Sequence, residues 1–358
     1  MALRVLAVAQ AAELGGAELA LLRLAPGLAD EGVQLELAVP GEGGVARAAR
    51  DAGLAVHQLR FGPLRRGGWP RALLAWPRAH LLVRRLRPDV VWLNGIVPQR
   101  LVPALGGTPV LLHLHDLVDK PPRQWRSEGF WGSVRLVACA SEAVRRAAAA
   151  GGAPADRLHT LAVPVEAVEP VPRPKWADGS PVVGFVGRIE PRKGVLDLIG
   201  AVERLLPRIP SLLLVVVRGP VLDADAAYER KVGDALARLG DSATVVGPLD
   251  DARAVMPWFD VLCVPSLVEP FGTVAAEALA AGTPAVVTES GGMPEYVMPG
   301  RSGAVVPPGD PERLANALER VLAHADEMTD AARADVARFA PAKAAAATAK
   351  LLRAAAAR

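Results

Sequence analysis

Short, almost wholly apolar runs recur along the chain, each giving way to a longer stretch whose apolar residues return at three- and four-residue spacing. In the N-terminal half the runs are Arg4–Ala9, Gln34–Val39, Val56–Leu59, Val90–Leu93, Val110–His115 and Arg135–Ala140, and Ala17–Glu31 and Arg71–Arg87 read as helices between them. The C-terminal half repeats the pattern with Val182–Val186, Leu212–Val217, Thr244–Val246, Leu262–Val264 and Pro284–Thr288. Its helices are expected over Val195–Leu206 and Pro311–His324, then through the alanine- and arginine-rich Ala331–Arg358. Strands that are apolar on both faces must be covered on both faces, and strands alternating with helices build parallel sheets. The fold class expected is therefore α/β with two parallel-sheet domains.

Between the halves runs VPVEAVEPVPRPKWADGSP, Val163–Pro181, rich in proline and without periodicity, which reads as a hinge between two lobes able to close. The organisation expected is a first domain over 1–165, a linker over 166–181, a second domain over 182–340 and a final helix over 341–358. The 358 residues suit two domains of ordinary size.

Composition narrows the function classes. No apolar run approaches the roughly 20 residues of a membrane span. The apolar start of the chain meets Gln10 and Glu13 too soon for a signal peptide and reads as a buried strand. Two cysteines, Cys139 and Cys263, sit inside strand-like runs, so no disulfide framework is expected and a cytoplasmic location fits. The net charge of +3 divides unevenly: residues 1–165 hold 20 Lys+Arg against 13 Asp+Glu (+7), and the remainder 21 against 25 (−4). Eight arginines and no acid fall between Arg60 and Arg87. Arg65, Arg66, Trp69, Arg71 and Trp76 together suit an anionic membrane surface, touched peripherally, or an anionic acceptor. A basic excess confined to one segment does not suit nucleic acid.

The most informative stretch is LCVPSLVEPFGTVAAEALAAGTPAVVT, Leu262–Thr288. It reads strand, loop, helix, strand, with Thr273 as the expected N-cap and Gly282 as the stop. The tip of that helix, reached through Phe271, Gly272, Thr273 and Val274, presents unpaired N–H groups and partial positive charge, a setting for phosphate. Glu269 in the loop and Glu277, expected in the first helical turn, would repel phosphate and suit hydroxyl groups. A diphosphate on the helix tip with hydroxyls on two carboxylates describes a nucleotide sugar.

Upstream, Gly187-Arg188-Ile189-Glu190-Pro191-Arg192-Lys193-Gly194 turns from strand to helix at the ligand edge of a parallel sheet. Arg188 and Lys193 there can neutralise charge on a departing diphosphate, the task a metal ion performs elsewhere. Arg218-Gly219 ends the next strand. Asp223-Ala224-Asp225 has the form of a metal-binding D-x-D but reads as acids opening a helix. His115 and His113 lie at a strand end in the first half, with Asp116 expected to orient His115 or the loop, and no third metal ligand beside them. Gly15-Gly16 opens the first helix without the G-x-G-x-x-G spacing of a dinucleotide site.

The Glu269-x7-Glu277 pair and the G-R-x4-K-G turn resemble the signatures of family 4 retaining glycosyltransferases of the GT-B fold. The resemblance implies two Rossmann-like domains facing across a cleft, the first binding acceptor and the second binding donor, with the last helix returning to the first. It implies that Glu269 holds the donor sugar, Glu277 the ribose, and Arg188 and Lys193 the phosphates. His115 would reach the sugar, Gly15 and Gly16 would form the acceptor-side loop, and Gly187, Arg218 and Gly219 would flank the nucleotide. The implied activity is metal-independent transfer of a sugar from a nucleoside diphosphate to an acceptor hydroxyl on a glycan, lipid or natural product, with no cofactor beyond the donor. An epimerase or phosphorylase of the same fold, or a silent membrane-associated scaffold, are the alternatives.

Overall fold

The structure, a computed structural model, describes residues 2–61, 69–118, 120–219, 225–249 and 251–357. It forms two compact units, Met1–Pro164 with Phe339–Arg358, and Val165–Arg338.

The first unit runs β1 (Leu3–Ala9), α1 (Gly16–Asp30), β2 (Val33–Val39), α2 (Gly44–Asp51), β3 (Ala55–Gln58), α3 (Trp69–Leu86), β4 (Val90–Asn94), β5 (Val110–Leu114), α4 (Glu128–Ser133), β6 (Val134–Cys139), α5 (Glu142–Ala150) and β7 (Leu158–Thr160). Its strands pair in parallel in the order β3-β2-β1-β4-β5-β6-β7. The short edge strand β7 carries one buried apolar residue, Leu158, too little to register as an apolar run. Successive residues of the central strands are all buried, because each face is covered. One face packs Leu6, Val91, Leu93 and Leu112 with Trp125, Phe130 and α3; the other packs Val5, Ala7, Trp92 and Leu111 beneath α1, α2 and the chain's last helix.

Leu21, Leu24 and Leu28 make the buried stripe of α1, each worth about 1.5–3 kcal/mol of burial. The last helix, Pro341–Ala357, lies against α1, and its alanine face allows close approach. A Cβ added at Gly27 would sit 2.7 Å from that of Ala345. The helical stretch expected through Ala331–Arg358 is interrupted: one helix ends at Val336, and the last begins at Pro341, as expected for the final helix over 341–358, because proline has no N–H to offer a preceding turn.

The second unit runs β8 (Val182–Gly187), α6 (Val195–Leu205), β9 (Leu213–Arg218), α7 (Ala226–Leu239), β10 (Ala243–Val246), β11 (Val261–Val264), α8 (Thr273–Ala281), β12 (Ala285–Thr288), β13 (Gly303–Val306), α9 (Pro311–Leu322) and α10 (Ala325–Val336), leaving α11 as the helix already described. The parallel order is β10-β9-β8-β11-β12-β13. In both sheets the strand order reverses beside the first strand, between β1 and β4 and between β8 and β11. Open α/β sheets bind ligands outside the carboxyl ends of strands at such points.

The proline-rich segment is attached to the second unit rather than being an open spacer. Val171 N donates to Ala254 O at 3.0 Å and Trp258 Nε1 to Val171 O at 2.9 Å, while Trp176 stacks on Phe259 at 5.7 Å. Asp225, expected to open a helix, caps it, and Ser141 and Asp310 cap two others, each accepting a backbone N–H of the first turn.

Candidate active site

In the second unit the carboxyl ends of β8, β9 and β11 and the tip of α8 bring together the residues expected to bind a nucleotide sugar. The expected N-cap is displaced by one residue. Gly272, not Thr273, precedes the helix, and no side chain caps it. Gly272 has φ +86°, and a Cβ there would come within 2.4 Å of Met293 Cγ and 2.7 Å of Tyr296 Oη. The left-handed turn therefore needs glycine for its backbone and for the close packing of 293–296 beneath it. Thr273 and Val274 become the first helical residues, whose N–H groups have no carbonyl behind them to bond. Glu277 lies in the second turn rather than the first, and is buried.

Gly194, also left-handed at φ +65°, ends the short turn Pro191–Lys193 and starts α6. Lys193 is thereby carried across to the β11–α8 loop, where its Nζ lies 2.5 Å from Glu269 Oε2. Ser266 Oγ donates to the same oxygen at 3.1 Å, and Glu269 N donates to Ser290 Oγ at 2.9 Å. Glu269 is thus held through side chain and backbone. Gly291 packs directly on its carbonyl, where an added Cβ would lie 1.7 Å from the oxygen.

Arg188 pairs with Glu190 at 3.2 Å, and Arg192 pairs with the other oxygen of Glu190 at 2.6 Å. Arg192 thus reaches Glu190 while its side chain stays partly exposed. Arg218 pairs with Glu229 at 3.3 Å, and Gly219 N donates to Gly187 O at 2.8 Å, joining the two strand ends. Beside them opens a cavity of about 400 Å³ lined by Ile189, Val216, Arg218, Glu229 and Val245.

Beneath the loop, the fully buried Tyr296 hydroxyl lies 2.9 Å from Phe271 O and 2.7 Å from Gly272 O, donating to that pair of carbonyls. Burial pushes this phenol well above its ordinary range, so it stays protonated as a donor. Next to α8, Arg253 binds Asp251 at 2.7 Å and Glu166 at 3.2 Å; burial opposes its charge, while Asp251, Glu166 and the field of Glu277 favour it.

The other three expected residues lie in the first unit. Gly15 precedes α1 and Gly16 begins it; a Cβ at Gly16 would meet nothing within 4 Å. His115 follows the end of β5, which stops at Leu114, and its Nε2 lies 2.8 Å from Asn94 Oδ1. The Asn94 side chain thus orients its ring. Burial lowers the His115 imidazole to about 4 and holds His113 well below its ordinary value. Glu18, in the first turn of α1, is buried and its carboxyl raised by that burial.

Sequence reasoning gave Ser266, Asn94, Tyr296 and Arg253 no role. Ser266 and Asn94 had a legible signal, a polar residue at the carboxyl end of an apolar strand, the same one that singled out His115. Tyr296 and Arg253 had none. Of the basic aromatic segment, Arg65 and Arg66 lie outside the described residues, as do the side chains of Trp69 and Arg71. Trp76 corrects the expectation: it packs on the core and donates from Nε1 to Arg100 O at 3.1 Å, because the apolar face of α3 turns inward. Asp223 and Ala224 are likewise outside the described residues. No group of three His, Cys, Asp or Glu side chains able to hold a metal occurs among the described residues, and no helix there is long and apolar enough to cross a membrane.

Two cations, a helix tip and two buried carboxylates at the carboxyl edge of a parallel sheet are the arrangement expected for binding a nucleotide sugar. Residues 14–167 match the family model described as Glycosyltransferase Family 4, and residues 180–324 match Glycosyl transferases group 1. D-inositol 3-phosphate glycosyltransferase of Stackebrandtia nassauensis is 31% identical, with 87% of this chain and 80% of that protein covered. D-inositol 3-phosphate glycosyltransferase 2 of Catenulispora acidiphila is 30% identical, with 90% of each covered. Among solved structures, Anabaena Alr3699/HepE in complex with UDP-glucose shares the fold with a TM-score of 0.80 at 22% identity, over 98% of this chain and 99% of that one. Sucrose-phosphate synthase from Thermosynechococcus elongatus does so with a TM-score of 0.75 at 23% identity, over 98% of each chain. The chain belongs to glycosyltransferase family 4 and is a glycosyltransferase.

Proposed function

We propose that this glycosyltransferase moves the sugar of a nucleoside diphosphate sugar to an acceptor hydroxyl with retained anomeric configuration and without a metal ion. The Lys193–Glu269 contact carries the reading, because it joins the phosphate-binding turn to the sugar-binding loop. The donor's diphosphate takes the N–H groups of Thr273 and Val274 together with Arg188 and Lys193. As the bond to the sugar breaks, negative charge grows on the leaving phosphate and positive charge on the sugar ring. The two cations and the helix tip stabilise the first, and the Glu269 carboxylate, fixed by Lys193 and Ser266, holds sugar hydroxyls. Glu277 holds the ribose, and Gly187, Arg218 and Gly219 border the nucleotide. Gly15 and Gly16 give the acceptor room, and His115 meets a substrate hydroxyl.

The +7 balance of residues 1–165 supports an anionic acceptor, in keeping with relatives named for D-inositol 3-phosphate. Peripheral contact with anionic membrane is proposed through Arg65, Arg66, Trp69 and Arg71, without Trp76. Liposome co-sedimentation that ignores anionic lipid would remove it.

The test of the catalytic reading is a panel of UDP-, GDP-, ADP- and dTDP-sugars with phosphorylated and neutral polyol acceptors, read by product formation and by the anomeric coupling of the product. Transfer with retention, unchanged by a chelator, is expected. An inverted product, or activity abolished by chelation and restored by a divalent ion, overturns the proposed course.

A further inference from the structure

Asn94 is the last residue of β4, fully buried, at the point where the strand order of the first sheet reverses. Its Nδ2 lies 2.9 Å from the carbonyl oxygen of Ala17 in the first turn of α1, and its Oδ1 lies 2.8 Å from His115 Nε2. The chemistry of these three groups leaves a single arrangement of hydrogens. A carbonyl oxygen can only accept, so the amide must turn its NH₂ toward Ala17. The side-chain oxygen of Asn94 then faces His115, and being only an acceptor it requires a proton on Nε2.

A neutral imidazole carries one N–H, so Nδ1 is left with the lone pair. The ring plane is fixed independently. The His113 ring lies 4.0 Å from that of His115, centroid to centroid, and is itself stacked on Trp92 at 5.9 Å. His115 remains partly exposed, whereas His113 and Trp92 are buried beneath it.

We propose that Asn94 is a positioning residue which locks His115 in the Nε2–H tautomer, so that His115 meets substrate through Nδ1 as a hydrogen-bond acceptor. A hydroxyl of the bound substrate donates to Nδ1; the histidine offers it no proton. The amide of Asn94 also ties the start of α1, which carries Gly16, to the histidine, so the glycine turn and the imidazole are set by one buried side chain. This inference rests on the proposal that His115 meets substrate, but the tautomer itself does not.

Two measurements separate the parts. The full chain labelled with ¹⁵N-histidine is examined by long-range ¹H–¹⁵N correlation at neutral pH, with His115 assigned by the signal lost in His115→Gln. The wild type is expected to show the Nε2–H pattern, and Asn94→Leu to lose it. An Nδ1–H pattern in the wild type, or an unchanged Nε2–H pattern in Asn94→Leu, overturns the assignment whether or not any donor is turned over.

The second measurement compares kcat/KM for substrates in which single hydroxyls are replaced by fluorine, which accepts but does not donate. At least one replacement is expected to cost about tenfold in the wild type and about twofold or less in His115→Gln. If every such analogue costs the wild type no more than His115→Gln, His115 does not accept from a substrate hydroxyl and that half of the proposal falls.

Discussion

Lys193 Nζ lies 2.5 Å from Glu269 Oε2 across a separation of 76 residues, and both side chains are largely shielded from solvent. A charge on the β8–α6 turn and one on the β11–α8 loop are thereby fixed against each other at the ligand edge of one sheet. Replacing Lys193 by Ala removes a stabiliser of the leaving phosphate and frees Glu269 together. Turnover is expected to fall by about 10²–10³. Because the partners share one contact, Lys193→Ala combined with Glu269→Gln should cost less than the sum of the two in steady-state kinetics. Near-normal turnover of Lys193→Ala would remove it from the mechanism.

Tyr296→Phe deletes the hydroxyl that serves two carbonyls ahead of α8. Gly272 O keeps the N–H groups of Ala275 and Ala276, so the loss is that of one buried hydrogen bond, and stability should fall by about 0.5–1.5 kcal/mol in urea unfolding. Nucleotide affinity should fall with it, since those carbonyls set the turn that aims Thr273 and Val274.

Arg253 sits among Asp251, Glu166 and Glu277, so Arg253→Ala leaves acids facing one another with Glu277 buried. Calorimetric titration with the nucleoside diphosphate is expected to show affinity weakened about tenfold, equivalent to about 1.4 kcal/mol. Arg253→Lys should recover part of it, because the charge returns without the fork that grips Asp251. Unchanged affinity in the alanine variant would show that Glu277 needs no such neighbour.

Stability should decline on acidification from neutral pH. His115 ionises near 4 in the folded chain against an ordinary value of 6.5, and His113 is also held well below that value, both because burial disfavours the cation. The unfolded chain therefore binds more protons between about pH 6.5 and 4, and stability is lost as pH falls through that window, by at most about 1.4 kcal/mol per pH unit for each histidine. Glu18, raised by burial, works in the opposite sense above its unfolded value, so the net slope is smaller than that of two histidines. His113→Asn should flatten the profile measured by chemical unfolding at several pH values.

Cys139 and Cys263 are both buried, and burial pushes the Cys139 thiol to about 12 and Cys263 higher. Thiolate is negligible at neutral pH, so a thiol reagent should label neither in the native protein and both after unfolding. Rapid native labelling of either would show that its strand opens.

The two parallel sheets were legible because strands buried on both faces are apolar at every position, a signal that needs no knowledge of partners. The glycine stops, the acidic and serine caps, and the turn carrying Arg188 and Lys193 were legible for a similar reason: backbone geometry of a few adjacent residues demands those residue types. Short edge strands such as β7 escaped because half-covered segments lack the apolar run.

The ion pair of Lys193 with Glu269, the orientation of His115 by Asn94 and the support of the α8 turn by Tyr296 were decided only by the tertiary structure. Each joins residues between 21 and 76 positions apart, and the chain carries no local mark of which strand ends will meet. Sheet order makes those choices. It sets β4 beside β5 and β8 beside β11, and so determines which polar residue at a strand end finds which partner.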